Sequence, residues 1–440
     1  MENDIEKLVY QVIFKKSKRA EKEIRKRAKV QGIKLTSTQK LYEAKVQNKW
    51  SGFFTVPAIN IRTLTFDTAR AVLRQAIKQR VGAFVFELAR SEIDYTDQPM
   101  SEYVPVILAA AIKEGFKGYL FFQGDHFQVK AEKFFSEKKS QEIEALKKLI
   151  KDSIEAGVYN IDIDSSTLVR LDKEDLPEQQ KFNYELTAQL TSFIRSLEPR
   201  GITISVGGEV GEIGGKNSTP EDLRVFMEGY NRELAKLGDI HPHTITRTGA
   251  GGTKMRGMPS FGVGVKGLIK IAVQTGATHG GIVGPSGKLI KADVDFETLK
   301  KLSSRALKYG MAGAVQHGAS TLSEEYFDKF PETGAVEIHL ATAFQNIVLD
   351  SPYFPKDLKE KIYNWLIQEQ VFEKKLDQTE EQFIYKTRKK ALGPFKKEIL
   401  KIPQKNIDKI SEELEKKFVL LFQKLGVADT LEIVNKFYSK

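Results

Sequence analysis

The chain has 440 residues, of which 41% are hydrophobic and 29% charged, a composition typical of a globular protein with one large core. It has a net charge of +11 and no cysteine, which excludes disulfides and thiolate ligands, so any bound metal must use nitrogen and oxygen donors. No apolar run reaches membrane-spanning length, and the charged N-terminus lacks the apolar core of a signal peptide. We therefore expect a cytoplasmic protein without membrane contact.

Residues 1–48 show a helical pattern. Ile5, Leu8 and Val12 recur at the spacing of one helix face, and charged side chains dominate the remainder. We predict an N-terminal helical extension here. Its segment 15–29 is rich in Lys and Arg with interleaved Glu, which indicates a solvated helix. Because no recognition motif accompanies this charge, nucleic-acid binding is not expected.

From residue 53 onward, short apolar runs alternate with longer segments of helical pattern. Eight runs are predicted to be strands: 53–60, 83–88, 118–122, 158–164, 202–208, 268–273, 312–316 and 335–340. Alternating strands and helices favour a parallel sheet, and eight such units are typical of a closed barrel. The predicted fold class is α/β, a (β/α)8 TIM barrel at residues 49–346, with N-terminal (1–48) and C-terminal (347–440) helical extensions.

Side chains that can bind a metal follow four of these runs. Asp125 and His126 follow the third strand, Glu209 the fifth, His279 the sixth and His317 the seventh. Chemistry in a (β/α)8 barrel lies at the carboxyl ends of the strands, so we expect these side chains to lie close together. Imidazoles with a carboxylate favour Zn²⁺ or another divalent metal, and an adjacent Asp can act as acid or base.

Two further segments carry basic residues. The long connection 211–266 includes a helix-like part, 220–237, and a Gly-rich basic part, 246–257, which is either a phosphate-binding lid or a flexible surface loop. His241 and His243 between these parts are a further possible metal site, although turn histidines are more often exposed. In the C-terminal extension, the basic patch 385–390 is either a phosphate contact or a solvated turn, and its charge pattern favours the solvated turn.

Six segments of the predicted barrel resemble a known family, the class II metal-dependent fructose- and tagatose-bisphosphate aldolases. In the order of the family they are VPAIN at 56–60, DH at 125–126, IDSS at 163–166, EVGEIGG at 209–215, GATHG at 276–280 and HGAS at 317–320. The resemblance spans residues 53–346. It implies a zinc-dependent lyase that cleaves a ketose phosphate, such as fructose 1,6-bisphosphate or tagatose 1,6-bisphosphate, and that forms a dimer or larger homo-oligomer.

The resemblance also implies roles for particular residues. His126, His279 and His317 would bind zinc, with Glu209 as a nearby or alternative ligand, and the metal would polarise the ketose carbonyl. Asp125 would exchange the proton of the hydroxyl whose carbon becomes the aldehyde. The residues implied to contact the substrate or its phosphate are Asn60, Gly280, Gly318, Ser320, His339 and Thr342.

Three positions depart from the family pattern. The glutamate that usually follows the Gly-Gly pair, and that exchanges a proton with the substrate, is replaced by Asn217. The usual Lys-x-Asn of the last strand is Glu337-Ile338-His339, and an acidic side chain near a phosphate is unfavourable unless Lys or Arg neutralises it. The Gln-x-Ser that is usual in the family's second strand is replaced by Glu-Leu-Ala at residues 87–89. Candidate replacements for the glutamate are Glu212, Glu221 and Asp222.

These departures leave two other functions open. The first is a metal-dependent sugar epimerase, acting on a ketose or uronate, which Asn217 and His339 favour; product analysis separates it from an aldolase because only an aldolase releases triose. The second is a metal-binding or regulatory subunit without catalysis. The presence of Asp125 beside the complete ligand set argues against that second alternative.

Overall fold

A computed structural model describes residues 2–49, 54–211, 216–240, 266–276, 282–287, 289–290 and 294–439. The strands are β1 (Ile33–Thr36), β2 (Val56–Asn60), β3 (Val85–Ala89), β4 (Gly118–Gln128), β5 (Asn160–Asp164), β6 (Ser205–Glu209), β7 (Lys270–Val273), β8 (Ile282–Val283), β9 (Leu289–Ile290), β10 (Ala314–Gln316) and β11 (Glu337–Leu340).

The helices of the N-terminal extension and the barrel are α1 (Glu2–Lys15), α2 (Lys18–Gln31), α3 (Gln39–Val46), α4 (Thr65–Lys78), α5 (Arg90–Thr96), α6 (Met100–Lys113), α7 (Ala131–Phe134), α8 (Lys139–Ala156), α9 (Leu176–Ser196), α10 (Pro220–Ile240), α11 (Phe296–Leu307), α12 (Lys329–Glu332) and α13 (Thr342–Asp350). Those of the C-terminal extension are α14 (Lys356–Glu369), α15 (Glu380–Thr387), α16 (Lys396–Ile399), α17 (Gln404–Lys424) and α18 (Leu431–Tyr438). None of the described helices is long and apolar enough to cross a membrane.

Eight parallel strands close into a barrel. The order around the barrel is β2, β3, β4, β5, β6, β7, β10 and β11, and β11 pairs with β2 to complete the ring. Each of these strands corresponds to one of the eight predicted runs, so the predicted (β/α)8 fold is confirmed. The hairpin of β8 and β9, which follows β7, was not predicted.

The N-terminal extension contributes a strand as well as helices. Strand β1 pairs in parallel with the first half of β4, from Ile33 opposite Gly118 to Thr36 opposite Phe121. This is possible because β4 is 11 residues long, so its second half remains available for β5. The expectation of a purely helical extension was therefore wrong at this segment, since a four-residue strand is too short to show a clear period of two.

Both extensions pack on the barrel. Apolar side chains of α1, α2 and α17 belong to the same hydrophobic core cluster as the barrel strands. Helix α17 packs on α4 and also on α13, where the ring centroids of Phe418 and Phe344 lie 4.9 Å apart. The predicted domain boundaries at residues 48 and 346 stay predictions.

A charged network fills the centre of the barrel. The ammonium of Lys270, on β7, is fully buried and donates to Gln123 Oε1 at 2.7 Å and to Asp162 Oδ2 at 2.9 Å. It also donates to Glu337 on β11, and Glu337 accepts a further hydrogen bond from the Tyr42 hydroxyl of the N-terminal extension. Lys270 thus supplies the positive charge that an acidic residue at position 337 was expected to require.

This network also explains a glycine of β6. A Cβ at Gly207 would lie 2.3 Å from Asp162 Oδ1 and 3.0 Å from Lys270 Cε.

Burial disfavours charge on Glu337, but Lys270 and His339 hold the pKa of this carboxyl well below its usual range. Lys270 and Glu337 therefore both carry charge inside the barrel.

Replacing Lys270 with Met should strongly destabilise the protein, because Asp162 and Glu337 would remain buried without their cation. We expect the free energy of unfolding, measured by urea denaturation, to fall by roughly 3–5 kcal/mol. The control is Lys266→Met, which removes an ion pair with Glu43 that is partly open to solvent and should cost less than about 1 kcal/mol. Equal losses in the two variants would contradict this account.

Candidate active site

A cavity of about 500 Å³ lies at the carboxyl ends of the barrel strands. Most of the predicted site residues line it: Asn60, Asp125, His126, His317, Gly318, Ser320, His339 and Thr342. Glu209 joins this group through His126, because its Oε2 lies 3.2 Å from His126 Nδ1. His279, Gly280, His241, His243 and the Gly-rich segment 246–257 lie outside the described residues.

A distortion of β4 positions Asp125 and His126. The strand was predicted to end at residue 122 but continues to Gln128, with a shift in its register to β5 between Gly124 and Phe127. His126 has a φ of 40°, a left-handed conformation that is strained for a residue with a side chain. Gly124 is required here because a Cβ would lie 2.3 Å from the Phe127 ring. Such strain at a strand end is typical of functional sites.

Three carboxylates surround His126. Its Nδ1 lies 2.9 Å from Asp164 Oδ2 and its Nε2 lies 3.9 Å from Asp125 Oδ1, while Glu209 approaches from β6. Burial favours the neutral imidazole, but Asp125 and Glu209 raise the pKa of His126 well above its usual value. Burial, together with Asp164, raises the pKa of Glu209 to about 7. The site therefore concentrates negative charge around one imidazole.

These side chains fit a divalent metal. Donor atoms of Asp125, His126 and His317 lie within 4.8 Å of one another, and so do those of His126, Asp164 and Glu209. Within the described part of the chain, no Lys or Arg forms an ion pair with Asp125, Asp164 or Glu209. A cation would compensate this excess of negative charge, and imidazole with carboxylate is a donor set that zinc accepts. Asp164 was not predicted to take part.

His339 connects the cavity to the charged barrel centre. Its Nδ1 lies 3.0 Å from Asp125 Oδ1 and its Nε2 lies 2.7 Å from Glu337 Oε1. Its ring packs against that of His317, with the centroids 4.2 Å apart. The side chain of His339 is thus fixed at both nitrogens. Position 339, a departure from the pattern that the sequence otherwise resembles, presents an imidazole beside Asp125.

Asn60 and Arg62 form the side of the cavity next to β2. Asn60 Nδ2 donates to Glu92 Oε2 at 2.7 Å and lies 3.4 Å from Asp125 Oδ2. Arg62 Nε donates to Glu92 Oε1 at 2.7 Å, and its Nη1 lies 3.3 Å from Thr342 Oγ1. The sequence analysis missed Arg62, although its place two residues after Asn60, at the end of a predicted strand, was a usable signal.

The C-terminal extension also reaches the cavity, which is lined by Tyr385, Lys386 and Lys389. Within the patch 385–390, Arg388 is buried and Lys389 is half-buried. The prediction that this patch is a solvated turn was therefore wrong for most of it. The charge pattern could not show which of its side chains turn toward the barrel.

Asn217, which stands in place of the family's loop glutamate, and the described candidates for its role, Glu221 and Asp222, all have other contacts. Asn217 donates to Asp295 Oδ2 at 3.1 Å, and Asp295 caps the start of α11. Glu221 is exposed and pairs with Arg224 at 2.6 Å, while Asp222 accepts from the Thr219 backbone N–H at 2.8 Å at the start of α10. None of the three lines the cavity. Glu212 lies outside the described residues.

The sequence profile of one family, described as fructose-bisphosphate aldolase class-II, matches residues 42–413. The chain belongs to this family. Membership in this family suggests a metal-dependent lyase. A comparison with curated proteins by sequence gave no match.

Solved structures give the same fold. A probable tagatose 6 phosphate kinase from Sinorhizobium meliloti 1021 is 13% identical with a TM-score of 0.57, covering 87% of this chain and 99% of that one. A fructuronate-tagaturonate epimerase from Cohnella laeviribosi is 11% identical with a TM-score of 0.53, covering 86% and 82%. A fructose-bisphosphate aldolase from Campylobacter jejuni is 17% identical with a TM-score of 0.49, covering 90% and 95%. At these identities, the first two similarities support the barrel fold alone.

If the site holds zinc as its charge and donors indicate, the purified protein should retain about one zinc ion per chain after dialysis. His126→Ala should lower the zinc affinity by more than about 100-fold, because even a group that only orients a ligand contributes roughly 10- to 100-fold. Zinc content by mass spectrometry and chelator competition measure this. Asp172→Asn is the control, since Asp172 pairs with Arg170 on the surface. Equal zinc binding by both variants would exclude His126 as a ligand.

Proposed function

We propose that this protein catalyses the reversible aldol cleavage of a phosphorylated ketose, such as fructose 1,6-bisphosphate or tagatose 1,6-bisphosphate, to triose phosphates. The observation that carries the proposal is the position of Asp125. Its carboxylate lies beside His126, His317 and His339 at one end of a cavity large enough for a sugar phosphate. Membership in the class II aldolase family supports this class of reaction.

Zinc would be held by His126 and His317, with His279 as the third expected imidazole and Glu209 as an alternative ligand. When bound, the metal supplies Lewis-acid polarisation of the ketose carbonyl. Asp164 orients His126 through the contact at Nδ1. His126 and His317 could share one ion, because each offers a donor atom within 4.8 Å of the other.

Asp125 would remove the proton from the substrate hydroxyl whose carbon becomes the aldehyde, and return it in the reverse reaction. Burial opposes its ionisation, but His126 and His339 lower the pKa of Asp125 well below its usual range, so the carboxyl group is ionised; with His126 on zinc, the metal would supply that positive charge instead. Asn60 would donate a hydrogen bond to the substrate, and Gly318, Ser320 and Thr342 would lie around a phosphate. The Ala343 backbone N–H, which donates to Ser320 Oγ at 3.3 Å, helps to fix Ser320.

The first assay is triose phosphate release from both bisphosphates by the purified protein. We expect release that EDTA abolishes and zinc restores, because the carbonyl needs an electrophile. Asp125→Ala should lower the rate by roughly 100- to 10,000-fold through loss of the general base. A folded, zinc-loaded protein that releases no triose from either substrate would overturn the proposed reaction.

A second candidate is a metal-dependent epimerase acting on a ketose or uronate. The favouring observation is His339, whose Nδ1 is 3.0 Å from Asp125 Oδ1, so that two acid/base groups meet at one cavity. Product analysis by chromatography decides between the reactions. An epimerase converts the substrate to its stereoisomer without releasing triose, and His339→Asn should then lose epimerisation.

If Asp125→Ala and His126→Ala both left the biological role intact, the protein would be a non-catalytic metal-binding subunit.

A further inference from the structure

Helix α2 of the N-terminal extension has two faces of opposite character. Its inner face is apolar and belongs to the hydrophobic core, through Ala20, Ile24 and Ala28. The centre of the opposite face is an exposed line of cations, which we name the basic stripe: Arg19, Lys22, Lys26 and Lys29. Because these residues are spaced three, four and three positions apart, they follow one line along the helix.

The acidic residues of α2 lie between the two faces and are bound to other cations. Glu21 accepts from Arg25 Nε at 3.1 Å, and Glu23 accepts from Arg27 Nε at 2.7 Å. Over the described residues, no Asp or Glu forms an ion pair with the basic stripe. Glu23 also acts electrostatically on Lys26, so this one position is partly compensated. The charge of the stripe as a whole stays directed to solvent.

The arrangement is unfavourable for the helix alone. Neighbouring members of the basic stripe are like charges three or four residues apart, and such pairs destabilise a helix. A surface that serves solubility alone intersperses both signs of charge. In α2 the carboxylates are instead paired away from the stripe, and the cations are left in line. A bound anion would remove the repulsion among them.

The helix that carries the basic stripe is held firmly on the barrel. Ile24 is fully buried, and Arg25 Nη2 donates to Ala156 O at 2.9 Å. At the end of the helix, Gln31 Nε2 donates to Phe116 O at 2.9 Å. These contacts orient the stripe away from the core, so a partner would meet cations on a backbone that is already ordered.

We infer that the basic stripe binds the phosphodiester backbone of a nucleic acid. From Arg19 to Lys29 the helix rises roughly 15 Å, so successive cations are roughly 5 Å apart along its axis. A line of evenly spaced cations is complementary to a strand with evenly spaced phosphates. The lack of a recognition motif argues against the reading of bases, but contact with the backbone needs none. This surface is independent of the cavity and of the proposed reaction.

The structure favours a nucleic acid over an anionic membrane. A helix that lies on a membrane inserts its apolar face into the lipid. The apolar face of α2 is instead buried in the protein core, at Ala20, Ile24 and Ala28. The stripe is also only one side chain wide, which suits a strand better than a flat surface.

The test is the binding of two fluorescent probes, a short single-stranded RNA and a short DNA duplex of mixed sequence, to the full-length protein. Fluorescence anisotropy at a series of KCl concentrations gives the affinity and its salt dependence. Arg19→Gln/Lys22→Gln/Lys26→Gln/Lys29→Gln should bind at least about tenfold more weakly. The slope of log affinity against log salt should fall by roughly 3 to 4, because each phosphate contact contributes roughly 0.7 to 0.9.

The matched control removes the same number of charges elsewhere. Its four lysines lie on the surface and each pairs with an Asp or Glu: Lys181→Gln/Lys236→Gln/Lys409→Gln/Lys424→Gln. This variant should keep nearly all of the affinity. Lys22→Arg/Lys26→Arg/Lys29→Arg keeps the charge of the stripe and should also bind as the wild type does.

Binding that the stripe variant loses and the control keeps supports the inference, and the tighter of the two probes identifies the type of strand. No binding of either probe by the wild type overturns it. Equal losses in the two quadruple variants do so as well, because net charge would then explain the binding. Tighter binding to vesicles of phosphatidylcholine and phosphatidylserine, or equal competition by polyglutamate, would assign the stripe to another class of partner and overturn the choice of a nucleic acid.

Discussion

The buried ammonium of Lys270 is the interaction on which the interior of the barrel depends. It neutralises Glu337, Glu337 in turn accepts from His339, and His339 contacts Asp125 at the floor of the cavity. Ion pairs and hydrogen bonds in the barrel interior therefore fix the position of Asp125, the expected acid/base group. Because charges inside a protein interact strongly and are costly to leave unpaired, this series has little freedom to rearrange.

Both extensions pack on the barrel and contact each other, because the Tyr438 hydroxyl donates to Ser37 O at 2.8 Å. The N-terminal extension places the Tyr42 hydroxyl on Glu337 and adds β1 to the sheet, so it supports the charged centre. The C-terminal extension packs along α4 and ends one of its helices beside the cavity, where Lys389 lies. The extensions are thus continuous with the core, and each contacts the residues that hold or surround Asp125.

Much of the site was predictable because it follows strand ends. Asp125, His126, His317 and His339 are each next to or within a short apolar run, and parallel strands in a closed barrel bring such positions to one end. Of the residues that were missed, Arg62 and Asp164 also lie at the ends of predicted strands, whereas Lys270 has no such local mark. Lys270 is a charged residue inside an apolar strand, and its partners come from β4, β5 and β11. Asp164, although it ends a predicted strand, gave no sign that it would contact His126.

The sequence by itself determined the eight strands, their parallel closure and the family, because these depend on local periodicity and on short motifs in a fixed order. Only the tertiary structure decided which charges meet. The pairing of Lys270 with Glu337 and the approach of Lys389 to Arg62 each join segments that are distant in the chain. No spacing rule connects such segments, since their approach results from the packing of the whole barrel with its extensions.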